Sequence, residues 1–215
     1  MIEKSIQDLR RRVTKAGKQV YDQGLVRGNN GNISARIPRT DVIIIKPSGL
    51  SLGFMKPEDL VLVQLKEQKG KGETNVSKEV LMHTRIYETR DEVGAIVHTH
   101  PTSATALAIA GIEVLPLQIE MFIHHPKKIP IIPFESPGSK ELAEAVSIKM
   151  KDCDAVVLEN HGIVTVGSTV EEACNLNMMV EDAARVQFMV QILAGENIVS
   201  WDKLKKKFKT QSISR

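Results

Sequence analysis

The sequence predicts a single α/β domain, layered helix–sheet–helix (α/β/α) around a mixed sheet. Three observations lead there. The chain has 215 residues, a length that suits one domain of ordinary size. Hydrophobic residues make up 42% and charged residues 26%, the balance of a protein with a core. Strand-like runs at hairpin spacing come first, and strands alternating with helical periodicity follow.

The elements follow in chain order. Ile6, Leu9, Val13, Ala16 and Val20 step by three and four, the spacing of one helical face, and Gly24 ends that helix. A glycine- and asparagine-rich loop leads into a strand over Asn32 to Ile37. A turn at Pro38 to Asp41 joins it to a strand over Val42 to Lys46, as in a hairpin. The stretch KPEDL reads as a helical turn and VLVQL as a strand. Lys66 to Thr74 reads as a charged surface turn. Ser77 is placed to cap a helix through Val80, His83, Ile86 and Tyr87. Gly94 to His100 reads as a strand, Pro101 to Ala110 as a helix, and Ile129 to Phe134 as a short strand. Ser139 to Met150 is helical, and Ala155 to Leu158 and Ile163 to Val166 are strands joined through ENHG. Thr169 with Glu172 forms a capping-box pattern ahead of a long helix that stops at Gly195. The expected division is a domain over residues 1–195 and a basic tail over 196–215.

Composition excludes several function classes. Lys and Arg number 29 against 26 Asp and Glu, a net charge of +3, and much of the excess lies between Lys203 and Lys209. With aromatics at 4%, neither an electrostatic footprint nor a stacking platform for nucleic acid is expected. No run approaches the ~18 apolar residues of a membrane span. The charged N-terminal segment does not read as a signal peptide. Two cysteines, Cys153 and Cys174, make no disulfide framework and suit a reducing, cytoplasmic compartment.

The histidines carry the first chemical signal. His98 and His100 are two apart on a strand, so their imidazoles share a face. Neutral imidazole is the commonest zinc ligand, and three protein ligands with one open position is the catalytic arrangement. His161, just past another apolar strand, is the candidate third ligand. His124 and His125 diverge in direction and read as surface or interface residues. His83 reads as a hydrogen-bonded helix residue.

Three short stretches are suited to an anion. Gly28-Asn29-Asn30-Gly31-Asn32 is dense in residues that tolerate positive φ and turn backbone amides inward. Lys46-Pro47-Ser48-Gly49 ends a strand, and Ser77-Lys78 opens a helix. Together they offer amides, hydroxyls and a lysine to one phosphate. Glu79 follows directly. It serves either as a carboxylate complementing the helix dipole or as a general base, and the residues alone leave both open.

Taken together, GLVRGNNGNISAR, IKPSGLS, VSKE, VGAIVHTHPTSATALA, FESPGSKELAEAV and DAVVLENHGIVTVGSTVEEA resemble the class II aldolase/adducin family, in the family's order and over roughly residues 5 to 194. The resemblance implies a central, largely antiparallel sheet and a homotetramer with sites at subunit interfaces. It implies one Zn²⁺ per subunit, or another divalent cation, on His98, His100 and His161, with Glu79 as acid/base. It places a substrate phosphate on Asn29, Asn32, Ser48, Gly49, Ser77 and Lys78. The implied activity is reversible cleavage of a ketose 1-phosphate, such as L-fuculose 1-phosphate, into dihydroxyacetone phosphate and an aldehyde.

The chain also departs from the pattern. Many members have a serine where Lys78 stands. The tyrosine that fuculose-phosphate enzymes use at the aldehyde end has no counterpart in PLQIEMFIHH, where Ile119 and Glu120 lie. Glu120 is either a second proton carrier or a structural carboxylate. Other readings stay open: a pentulose 5-phosphate 4-epimerase, a sugar-phosphate dehydratase, a non-catalytic adducin-like scaffold, and a zinc hydrolase. Epimerases of the family usually have an aspartate at the position that Glu79 matches, so the resemblance favours the aldolase, and the retained His98, His100, His161 and Glu79 argue against a scaffold.

Overall fold

The computed structural model describes residues 2–66, 75–194 and 206. The charged turn expected after Lys66 and the basic tail expected after residue 195 lie outside the described residues, Lys206 excepted. Helix α1 spans Ile2–Asp22 and buries Leu9, Val13, Ala16 and Val20, the predicted face. It ends at Gly24, whose φ is +72°. The amides of Gly24 and Leu25 donate to the carbonyls of Tyr21 and Val20. This paired closure requires a left-handed residue and so favours glycine.

The strands are β1 Asn32–Arg36, β2 Val42–Ile45, β3 Val61–Gln64, β4 Ala95–Thr99, β5 Ile131–Ile132, β6 Ala155–Leu158 and β7 Gly162–Gly167. They form one seven-stranded sheet in the order β3-β2-β1-β4-β7-β6-β5. Every neighbouring pair is antiparallel except β5 with β6. Helices α2 (Val80–Thr89) and α5 (Lys140–Lys149) pack on one face, over Ile43, Ile45, Ile96 and Val156. On the other face, α1, α3 (Thr102–Ile109) and α6 (Val170–Ala194) pack over Ile44, Ala95, Val97 and Val157. The run VIII in β2 follows from this layering. Side chains alternate between faces, and both faces are covered, so every position is apolar. The three-layer α/β/α domain with a mixed, mostly antiparallel sheet is the observed fold.

Four local details differ from expectation. β5 is only Ile131–Ile132, because the flanking Pro130 and Pro133 have no N–H for the ladder. A short helix, α4, forms over Ile119–His124 where the sequence suggests none. Six residues are too few for a period to show, and Met121 is the side chain it buries. Ser77 does not cap α2: its hydroxyl accepts from the Glu79 amide at 3.3 Å, and Glu79 itself occupies the N-cap position. The capping box before α6 forms only halfway. Thr169 Oγ1 accepts from the Glu172 amide at 3.2 Å, but the Glu172 carboxylate takes the Ser168 amide. Among the described residues no helix is long and apolar enough to cross a membrane, and both cysteines are free.

Candidate metal and active site

The site is built at one end of β4 and β7. These strands pair with Thr99 opposite Ile163 and His98 opposite Val164. His98 lies on the α2 face of β4, alongside Ile96, and His100 follows two residues on. Their rings stand 4.7 Å apart. His161 comes from the turn between β6 and β7. Asn160 there has φ +57°, a left-handed conformation that asparagine tolerates. Gly162, directly after His161, meets the end of β4 without a side chain. The result sets the His161 ring 4.8 Å from both other rings.

All three rings present Nε2 to one another. The separation is 2.9 Å between His98 and His100 and 3.3 Å between His98 and His161. Glu79 closes the group, with Oε2 at 2.9 Å from His98 Nε2 and Oε1 at 3.4 Å from His161 Nε2. One ligand atom from each of the four lies within 4.8 Å of the others. Nitrogens held ~2.0–2.1 Å from a tetrahedral zinc stand about 3.3 Å from each other, so this spacing fits a first-row metal. His98 Nδ1 donates to the Ile163 carbonyl at 2.9 Å, which leaves Nε2 to face the group. Fixing the far nitrogen in this way is how ligating histidines are oriented. Glu79 Oε1 and His161 Nδ1 are buried without a hydrogen-bond partner. A bare carboxylate oxygen facing three imidazoles is suited to a cation.

Electrostatics agree with that reading for His100 and His161. Burial, reinforced by the neighbouring His98, brings His100 down to about 3 and His161 down to about 4. Both are therefore neutral near pH 7, the form that binds metal. Burial also works against a charged His98, but the Glu79 carboxylate outweighs it and lifts the ring above its ordinary value. Burial alone would raise Glu79. His98, His161 and the Asn32 amide together hold it well below the usual carboxylate range.

The three anion-suited stretches lie side by side. Lys46 is 3% exposed, and its ammonium donates to the carbonyls of Asn29 at 2.8 Å and Leu50 at 2.6 Å, tying the first stretch to the second. Burial lowers this lysine to about 8, with Glu79 pulling the other way. The Ser48 amide donates to the Asn75 carbonyl at 2.9 Å, and Pro47 bridges Val76, tying the second to the third. Asn29, Gly49 and Lys78 are exposed, Ser48 is half-buried and Ser77 is buried. Ser48 and Gly49 line a cleft of about 560 Å³ with Asn75. Asn32 is placed differently: it is buried, and its amide is engaged by Glu79 and His83.

The remaining candidates lie apart from the four-residue group. His124 and Glu120 sit on exposed positions of α4, and His125 follows, half-buried near Asp154. His83 is fully buried on α2. Two buried residues, Ser34, which bonds to it, and Tyr87, which bonds to Ser34, are not singled out by the sequence as part of a site. The available signal was their spacing: Ser34 is two residues from Asn32, and Tyr87 is four from His83.

Comparison with known proteins supports the same chemistry. A family model described as the class II aldolase and adducin N-terminal domain matches residues 11–188. An L-fuculose phosphate aldolase of Methanococcus maripaludis is 35% identical over 83% of this chain and 96% of its own. A 5-deoxy-D-ribulose 1-phosphate aldolase of Bacillus thuringiensis is 30% identical over 93% of each. The crystal structure of L-fuculose-1-phosphate aldolase from Thermus thermophilus superposes with a TM-score of 0.79 at 25% identity, covering 89% of this chain and 98% of that one. Matching in sequence along most of its length, and in fold across all three layers, the chain belongs to the class II aldolase and adducin family, among its aldehyde-lyases.

Proposed function

We propose that the chain is a zinc-dependent aldolase. It reversibly cleaves a ketose 1-phosphate, L-fuculose 1-phosphate or a similar sugar, into dihydroxyacetone phosphate and an aldehyde. The observation that carries this is the meeting of three imidazole Nε2 atoms and one buried carboxylate beside three adjoining anion-suited loops. Relatives named for cleaving sugar 1-phosphates support the substrate class.

In this reading His98, His100 and His161 hold the metal. A bound divalent cation supplies Lewis-acid stabilisation of the negative charge that develops as the carbon–carbon bond breaks. Glu79, held ionised, starts in the state that removes a proton from dihydroxyacetone phosphate during condensation. In cleavage the same carboxyl returns that proton to the carbon. Asn29, Ser48, Gly49, Ser77 and Lys78 anchor the phosphate, and Lys46 keeps their loops together from behind. Remote binding energy then holds the reacting carbon in place. A homotetramer and a cytoplasmic setting complete the proposal, consistent with the resemblance and the free cysteines.

The test is to incubate the purified protein with dihydroxyacetone phosphate and a panel of aldehydes, with and without a chelator. Condensation product that disappears with the chelator supports the reading. Interconversion of pentulose 5-phosphates without cleavage product would make the chain an epimerase instead.

A further inference from the structure

A line of buried polar side chains leads from Glu79 into the layer between β1 and α2. Asn32 and Ser34 are two apart on β1 and share a face. Glu79, His83 and Tyr87 are four apart, at the N-cap and along α2. Two strand steps cover about 6.7 Å and four helical steps about 6.0 Å, so the two rows interleave like teeth. Asn32 Nδ2 donates to Glu79 Oε2 at 3.0 Å, and Asn32 Oδ1 meets His83 Nε2. His83 Nδ1 lies 2.7 Å from Ser34 Oγ, which lies 2.9 Å from the Tyr87 hydroxyl. Asn32 is 4% exposed, and Ser34, His83 and Tyr87 are fully buried.

Chemistry sets the direction of every bond. An ionised carboxylate only accepts, so Asn32 turns its NH₂ to Glu79 and its oxygen to His83. That oxygen needs a donor, so His83 carries its proton on Nε2. Nδ1 then accepts from the Ser34 hydroxyl, and the Ser34 oxygen accepts from Tyr87. Burial keeps His83 neutral, bringing it down to about 3, and pushes the Tyr87 phenol up, so neither group breaks the chain near neutral pH. All donors point towards Glu79. Were Asn32 reversed, its oxygen would face the carboxylate, acceptor against acceptor.

We propose that His83 is a positioning residue for the reaction: by donating from Nε2, it locks the Asn32 amide with NH₂ towards Glu79 and so aims the proton-carrying carboxylate. Ser34 and Tyr87 hold the His83 ring in the required tautomer. This rests on Glu79 being the proton carrier of an aldolase. An apolar residue at position 83 would leave Asn32 free to turn and the Ser34 hydroxyl without its acceptor.

Two measurements on the full chain test this. The first reads the ring nitrogens of His83 by NMR in ¹⁵N-histidine-labelled protein, assigned by comparison with His83→Gln. The expected tautomer is Nε2–H; a ring protonated on Nδ1 overturns the proposal. The second follows deuterium uptake into dihydroxyacetone phosphate from deuterated water, using zinc-loaded protein without aldehyde. His83→Phe should exchange about 100-fold more slowly, the scale of a misaimed group, with zinc content and KM unchanged. His83→Gln keeps a donor towards Asn32 and should recover most of the rate. Tyr87→Phe removes only the far link and should slow exchange a few-fold. Exchange by His83→Phe at the wild-type rate, or a parallel loss of zinc, overturns the proposal. If His83→Phe does not fold, wild-type rates in Tyr87→Phe and a Ser34→Ala variant do so. Should the wild-type protein itself fail to exchange, the aldolase reading fails, while the His83 tautomer still tests the direction of the hydrogen-bonded chain by itself.

Discussion

A side chain on Gly162 would place its Cβ 2.0 Å from the Thr99 carbonyl oxygen, so the turn that carries His161 rests directly on the strand end that carries His98 and His100. Only hydrogen fits between the two backbones. The third histidine of the group reaches the other two because of this contact and the β4–β7 register.

Gly162→Ala should therefore damage the site as well as the core. Forcing one methyl into this contact costs about 1–3 kcal/mol. The expected outcome is a lower Tm together with weaker zinc retention on dialysis. An alanine variant with native Tm and full metal content would show that the backbones are free to separate.

His98→Ala and His161→Ala should each lose bound zinc and activity together. Elemental analysis of the purified variants checks this. Chelation of the wild-type protein should have the same effect, reversed by added Zn²⁺. A variant with full metal content removes that residue from the ligand set.

Glu79→Gln should keep its metal and lose turnover. The amide cannot carry the proton, and general acid–base catalysis contributes about 10²–10⁴-fold. Metal analysis alongside the condensation assay distinguishes this from collapse of the site. Full activity would reassign the proton carrier.

Lys46→Met removes the ammonium that holds the Asn29 and Leu50 carbonyls while keeping most of the side chain's length. The expected result is a KM for dihydroxyacetone phosphate raised about tenfold, or ~1.4 kcal/mol, with kcat changed less. Because the ammonium loses its charge near pH 8, the wild-type KM should rise above that pH and the variant's should not. Parallel KM profiles would sever the link between Lys46 and phosphate binding.

His83 also predicts a stability signature. Its pKa is depressed in the folded state to about 3 from an ordinary value of 6.5. Between these values the unfolded chain binds a proton that folded His83 refuses, so stability is full above pH 6.5 and declines as pH falls. One proton corresponds to about 1.4 kcal/mol per pH unit. Urea unfolding of wild type and His83→Gln at pH 7 and pH 5 should show a stability difference that changes with pH in this direction. A difference independent of pH would mean that the folded ring protonates as readily as the unfolded one.

Much of the fold is legible in the chain because it depends on local spacing. The stripe from Leu9 to Val20, the VIII strand and the glycine stop at Gly24 each follow from helical or strand periodicity within a few residues. The same holds for His98 and His100, whose shared face is a property of any strand. The helix at Ile119–His124 and the shortness of β5 were not legible. One is too brief to show a period, and the other is cut by prolines whose effect depends on which neighbour the strand meets.

The parts are therefore legible in the chain: the layered α/β/α class, the paired imidazoles, the amide-rich loops and the carboxylate at position 79. How they meet depends on packing between segments far apart in the chain. The strand order set β7 beside β4 and brought His161 to the pair. The seating of α2 on β1 took Asn32 from the loop it adjoins and gave its amide to Glu79 and His83. Periodicity is enforced within each segment by its own backbone. Register and layer packing are set by burial across tens of residues, where no short pattern records the partner.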